Sequence, residues 1–251
     1  MCDDCGCGDS ELVPIEVQQR ILAGNDATAA HNRIHFRSSG VLAVNLMGSP
    51  GSGKTAVLEA TARAAAGRWR LGAVSGDLAT DRDAQRLIAA GVPSRAITTG
   101  SACHLDARMV HETLHDAPWG EVDVFFIENV GNLVCPAIYD LGQAANVVAL
   151  AVTEGEDKPI KYPVMFKNAD LVLLTKVDLL PHLDVDTAAI EDALAHVMPV
   201  PRMLRISART GEGINDWLLW LEAQRAHLHA HEHGHHHPHL HAHGGHHHEH
   251  H

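Results

Sequence analysis

Gly48-Ser49-Pro50-Gly51-Ser52-Gly53-Lys54-Thr55 decides the fold. The stretch fits G-x-x-x-x-G-K-S/T, a loop that wraps phosphate groups. Before it runs Val41-Leu42-Ala43-Val44-Asn45-Leu46-Met47, a short apolar stretch that ends at glycine, as a buried parallel strand does. After it comes an Ala-rich helix, expected over Lys54–Ala66. Glycines in this loop let successive backbone N–H groups turn inward on phosphate oxygens, and the helix N-terminus adds a positive dipole. Gly48, Ser49, Gly51, Ser52 and Gly53 are therefore candidate phosphate-binding residues. Lys54 is expected to reach the β and γ phosphates, and the Thr55 hydroxyl to hold Mg²⁺.

Outward from this loop the pattern alternates strand and helix from Gly40 to about Ala223. Further strands are expected at Leu71–Val74, Arg95–Thr98, Val122–Glu128, Val147–Val152, Leu171–Thr175 and Met203–Ile206. Helices are expected at Asp81–Ala90, Asp106–His115, Thr187–His196 and from Ile214 onward. Such alternation implies an α/β fold, a doubly wound and mostly parallel sheet. Residues 40–226 form the nucleotide domain on this reading. Residues 9–39 form a helical segment, Leu12–Leu22 and Thr28–Phe36, with Gly24-Asn25-Asp26 as a break between the two. Residues 1–8 are a Cys/Gly tip, and residues 227–251 are a His/Gly/Ala tract that cannot bury a core and is expected to be mobile.

Base choice rests on Thr175-Lys176-Val177-Asp178, directly after an expected strand. A carboxylate at Asp178 can accept from both N1–H and the N2 amine of guanine, and adenine offers no such pair. Lys176 belongs to the same motif. Ser207 and Ala208, after the next strand, are expected to give guanine O6 a backbone N–H. Asp77 and Glu128, each following or ending a strand, are the carboxylates expected to serve Mg²⁺ and the attacking water. Asp81 reads as a helix N-terminal charge and Asp83 as solvated surface.

The chain has 251 residues and a formal charge of −12, which argues against nucleic acid because phosphate contacts need clustered Lys and Arg. No run of 18 apolar residues suits a membrane span, and the N-terminus lacks the features of a secretory signal, so the expected location is cytoplasmic. Three of the five cysteines, Cys2, Cys5 and Cys7, lie within six residues. Crowded thiols in a reducing compartment suit a soft metal better than a disulfide framework. With the Cys2 amine as a fourth donor the tip can form a square-planar site, which favours Ni²⁺ over Zn²⁺. Cys103, His104 and Cys135 lie on loops leaving the carboxyl edge of the sheet and are a second candidate ligand set. The final tract carries 15 of the 22 histidines, a composition suited to low-specificity binding of Ni²⁺, Zn²⁺ or Cu²⁺.

These features together resemble the HypB family, the GTPases of nickel–iron hydrogenase maturation. The resemblance is carried by the Cys2-x-x-Cys5-Gly6-Cys7 tip, Gly48–Thr55, Gly76-Asp77-Leu78-Ala79-Thr80-Asp81, Cys103-His104, the run from Glu128 to Pro136, and Ser207-Ala208-Arg209-Thr210-Gly211. It implies a P-loop GTPase fold of the SIMIBI type, GTP hydrolysis, and nickel insertion into the hydrogenase large subunit. It also implies a nickel-binding partner of the HypA type, a homodimer linked to nucleotide or metal, a high-affinity nickel site at the tip, and a second Ni/Zn site at Cys103, His104 and Cys135. Two departures stand out: Thr175 where Asn is usual, which predicts a looser brace to the phosphate loop, and Arg209 where Lys is common. Rival readings are a urease-type accessory GTPase and a nickel storage protein with a vestigial nucleotide site.

Overall fold

The computed structural model describes residues 15–100, 102–115 and 121–233; side chains at 15–18 and 231–233 are excluded. Seven strands form one sheet in the order β3-β2-β4-β1-β5-β6-β7: β1 Leu42–Gly48, β2 Leu71–Asp77, β3 Ser94–Thr98, β4 Val124–Glu128, β5 Ala145–Ala151, β6 Leu171–Thr175 and β7 Met203–Ile206. Among the described residues every pairing between strands is parallel, so the expected mostly parallel sheet is wholly so, with one isolated antiparallel bridge from Gly48 to Asn132 outside the strand pairs. The helices are α1 Ile15–Ser38, α2 Lys54–Ala64, α3 Arg82–Ala89, α4 Ala107–His115, α5 Lys158–Lys161, α6 Pro163–Lys167, α7 Thr187–Val197 and α8 Ile214–His233.

The continuous apolar strands follow from burial on both faces. Leu42, Val44 and Leu46 of β1 join Val57 and Leu58 of α2 and Trp217 and Leu221 of α8 on one face. Ala43, between them, points to the other face with Phe36 of α1, Val110 of α4 and Phe125 of β4. Because all strands run one way, their carboxyl ends collect on one edge. Gly48, Asp77, Glu128 and Thr175 end β1, β2, β4 and β6 there.

Three sequence expectations are corrected. The break at Gly24-Asn25-Asp26 does not exist: α1 runs through it. Asn25 is held by tertiary partners, donating to the Asp140 carbonyl at 2.8 Å and accepting from the Ala107 N–H at 2.9 Å. β2 continues past Val74 to Asp77, carried by its pairing with β3. The boundary expected at residue 226 does not interrupt α8, which stays helical through His233; the rest of the tract lies outside the described residues. The short helices α5 and α6, each with Pro in its first turn, were not foreseen.

Candidate nucleotide and metal sites

The phosphate loop joins β1 to α2 as expected. Gly51 and Gly53 have φ of 76° and 93°, left-handed values that glycine adopts without a steric penalty. A Cβ on Gly131 would meet Pro50 at 2.9 Å, so the loop after β4 packs hard against the phosphate loop. A cavity of about 480 Å³ opens between them, lined by Lys54, Thr55, Asp77, Asp83, Arg86 and Glu128 among others.

Inside this cavity the polar groups serve one another. Lys54 Nζ donates to the carbonyls of Gly48 and Ser49, at 3.2 and 3.1 Å. Thr55 Oγ1 lies 2.6 Å from Glu128 Oε1 and 2.9 Å from Asp83 Oδ1, and Ser75 Oγ donates to Glu128 Oε2 at 3.0 Å. Burial pushes the Glu128 carboxyl up from its ordinary value; Asp83 adds to this, while the Thr55 hydroxyl, Lys54 and Ser75 oppose it. Burial likewise pushes the Lys54 ammonium down against the pull of Glu128, Asp83 and Glu154. Asp77 sits at the rim, its Oδ1 accepting from the Ala79 and Thr80 N–H groups at 2.9 and 2.8 Å. Those backbone donors, Ala79 first, hold its carboxyl below the usual range. Asp83, expected on the solvated surface, is thus part of the cavity. Asp81 stands at the N-cap of α3, as expected of it, accepting from Gln85 at 2.7 Å.

A second recess of about 300 Å³ lies beside the first, lined by Gly53, Thr175, Lys176, Asp178, Ala208 and Arg209 among others. Asp178 Oδ1 accepts from Ser207 Oγ at 2.6 Å, which aims the carboxylate into the recess. Ser207's own N–H donates to the Glu212 carbonyl at 2.9 Å, so Ala208 is the better placed of the two to offer a backbone N–H. The looser brace expected at Thr175 is corrected: its Oγ1 donates to the Ser52 carbonyl at 2.6 Å. Lys176, at φ 60°, adds a bond to the Gly51 carbonyl at 2.7 Å.

Cys103, His104 and Cys135 come together. Their ligand atoms all lie within 4.8 Å of one another, and each residue is half-buried. The two sulfurs are 3.2 Å apart, and Cys103 Sγ is 4.0 Å from His104 Nδ1. The His104 ring stacks on Tyr139 at a centroid distance of 4.0 Å. Two soft thiolates and an imidazole suit Ni²⁺ or Zn²⁺.

A family model described as the CobW/HypB/UreG nucleotide-binding domain matches residues 42–204. The hydrogenase maturation factor HypB of Azotobacter vinelandii is 50% identical over 218 residues, covering 87% of this chain and 72% of that protein. The chain belongs to the HypB family. A crystal structure of HypB from Helicobacter pylori in complex with nickel is similar at TM-score 0.77 and 36% identity, covering 81% of this chain and 96% of that one. HypB from Archaeoglobus fulgidus is similar at TM-score 0.75 and 37% identity, covering 81% and 100%.

This HypB-family chain also uses residues that sequence reasoning missed. Asn129, 1% exposed, accepts from the Leu105 N–H at 3.2 Å and donates to Asn45 Oδ1 at 3.2 Å. Glu154 accepts from Ser49 Oγ and from the Ala151 N–H, and lies 3.8 Å from Lys158 Nζ. Arg86 lines the phosphate cavity while paired with Glu59 at 2.9 Å. The pairs Asn129 with Leu105 and Asn45, Glu154 with Ser49, and Arg86 with Glu59 join residues far apart in sequence, so no local pattern marks them. Cys2, Cys5 and Cys7 lie outside the described residues. Among the described residues no helix is long and apolar enough to cross a membrane.

Proposed function

We propose that this chain is a GTP-hydrolysing nickel metallochaperone that delivers nickel to the hydrogenase large subunit. The observation that carries the reading is the shared anchor of the two sites. Asn129 follows Glu128 at the floor of the phosphate cavity and holds Leu105, the residue after His104. The same loop runs on to Cys135, so both arms of the thiolate centre attach to the strand end that lines the phosphate cavity.

In this reading Lys54 and the loop amides of Gly48, Ser49, Gly51, Ser52 and Gly53 hold the phosphates. Thr55, Asp77 and Glu128, joined by Asp83, supply the oxygens for Mg²⁺ and the attacking water. Three of these oxygen-bearing side chains already meet around Thr55 Oγ1, and a buried carboxyl held up from its ordinary value fits a place where a cation later sits. Bound Mg²⁺ would neutralise phosphate charge. Asp178 and Ala208 N–H read guanine. Cys2, Cys5 and Cys7 form the high-affinity nickel tip, loaded or emptied with a HypA-type partner. The Cys103/His104/Cys135 centre offers three ligands where a closed soft-metal site takes four. A second copy would complete it, and the exposed Val134 and Ile138 beside Cys135 give that copy an apolar rim to cover. A storage role alone would leave the connected phosphate cavity without a use. The test is phosphate release from GTP by the full chain, with Lys54→Ala as control. Turnover that persists in Lys54→Ala, or is absent in the native chain with Mg²⁺, defeats the proposal.

A further inference from the structure

Where α1 packs on α4, four imidazoles gather that neither the nucleotide site nor the thiolate centre uses. His31 and His35 stand one turn apart on α1, and His111 and His115 one turn apart on α4. Spacing of i, i+4 puts each pair on one helix face. His111 and His115 meet Nε2 to Nε2 at 3.1 Å. The His31 ring closes on His111 at a centroid distance of 5.0 Å, and the His35 ring lies 6.3 Å from His115.

We propose that His111 and His115, completed by His31, form a binding site for an imidazole-preferring divalent transition metal, Ni²⁺ or Zn²⁺, separate from the thiolate centre. Two nitrogens bound to one such ion by bonds of about 2.0–2.1 Å stand roughly 3 Å apart, and the two Nε2 atoms already have that separation. The tautomer is right for it. Asn32, fully buried, commits its Nδ2 to the carbonyls of Ala107 at 2.8 Å and Leu141 at 3.2 Å. Its Oδ1 is therefore the atom facing His111 Nδ1, at 2.9 Å. A carbonyl oxygen only accepts, so His111 Nδ1 carries the hydrogen and its Nε2 keeps the lone pair. Fixing a ligand histidine by a hydrogen bond from its other nitrogen is how metal sites set ring orientation.

The sequence repeats the point. His111-Glu112-Thr113-Leu114-His115 has the H-E-x-x-H spacing of helix-borne zinc sites. The inference is metal binding and not hydrolysis, because Glu112 is exposed and turned toward Arg108, 4.0 Å away. Among the described residues only Cys103, His104 and Cys135 already hold three donors together. The imidazole site holds two in place, and the exposed His31 ring stands beside His111 at a centroid distance of 5.0 Å. His35 also lines a cavity of about 440 Å³ together with His229 of α8. The helix that leads into the remaining histidines thus passes beside His35.

The test is carbethoxylation of the full-length chain, read histidine by histidine by mass spectrometry, with and without Zn²⁺ or Ni²⁺. At metal about ten times the dissociation constant, the free site is about tenfold scarcer, so modification of His31, His111 and His115 should slow about tenfold. The protection should persist in a Cys103→Ser/Cys135→Ser chain and vanish in His115→Gln, whose exposed position spares the fold, with retained GTP binding as the check. Unchanged rates at these three histidines while the C-terminal ones are protected would overturn the proposal. So would protection that survives His115→Gln.

Discussion

Asn129 Oδ1 accepts the backbone N–H of Leu105 at 3.2 Å, tying the end of the strand under the phosphate cavity to the segment that carries Cys103 and His104. The same oxygen accepts its neighbour's Val130 N–H at 3.0 Å, and the amide nitrogen donates to Asn45 Oδ1. Both acceptor positions of the side chain and one of its two N–H donors are thus in use, and its loss should have consequences at both sites.

Asn129→Ala should leave Leu105 N–H, Val130 N–H and Asn45 Oδ1 short of a partner in a buried setting. Each such group costs about 1–3 kcal/mol, so chemical denaturation should show a marked loss of stability. In protein that still folds, nickel titration with and without a non-hydrolysable GTP analogue should show weaker binding at the thiolate centre and little nucleotide dependence. Native-like dependence would show that coupling does not pass through this residue.

Thr175→Val keeps the shape and removes the bond to the Ser52 carbonyl. Leaving that carbonyl unpaired at roughly 1–2 kcal/mol should weaken GTP binding on the order of tenfold, measured by calorimetry, with circular dichroism unchanged. Thr175→Asn should bind better than Thr175→Val, since an amide can donate to the same carbonyl.

Asp178→Asn should weaken GTP binding and favour XTP, because the amide offers a donor where guanine needs an acceptor. Nucleotide competition reads this directly. A variant that keeps native GTP affinity and still rejects XTP would remove Asp178 from base recognition.

Glu128 sets a pH-dependent stability with a definite sign. Burial raises its carboxyl pKa in the folded chain. A folded pKa above the unfolded one means that ionisation costs stability, and the cost grows as pH rises above the unfolded value of about 4.3. Nucleotide-free Glu128→Gln should thus be more stable than the native chain near neutral pH. The gain should shrink as pH falls through the carboxylate range. Each 1 kcal/mol gained lifts Tm by about 2–4 °C in a chain of this size. GTP turnover should be lost at the same time. Differential scanning calorimetry at several pH values checks the sign.

Much of this was legible in the chain because it is written locally. Gly48–Thr55 sits between an apolar run and an Ala-rich helix, and β1 and α2 fall where those patterns place them. Cys103-His104 and Cys135 lie on loops at one sheet edge, and the parallel topology brings them together. What was missed depends on partners distant in sequence. Gly24-Asn25-Asp26 has the composition of a turn, yet Asn25 is satisfied by Asp140 and Ala107, so α1 continues. Asp83 gave no sign that Thr55 would stand 2.9 Å away. Thr175 stands where Asn is usual, yet Ser52 approaches closely enough for the threonine hydroxyl to bond its carbonyl.

We infer that nucleotide state and metal affinity are coupled through the loop from Glu128 to Cys135. The most direct measurement is nickel titration of the full chain, read by thiolate-to-nickel absorption of the Cys103/Cys135 centre, in GDP and in a non-hydrolysable GTP analogue. A Cys2→Ser/Cys5→Ser/Cys7→Ser background keeps the tip silent. The two affinities should differ by about tenfold, a coupling of roughly 1.4 kcal/mol, and the signal should be lost in Cys135→Ala. Equal affinity in both nucleotide states, or a signal that survives Cys135→Ala, would contradict it.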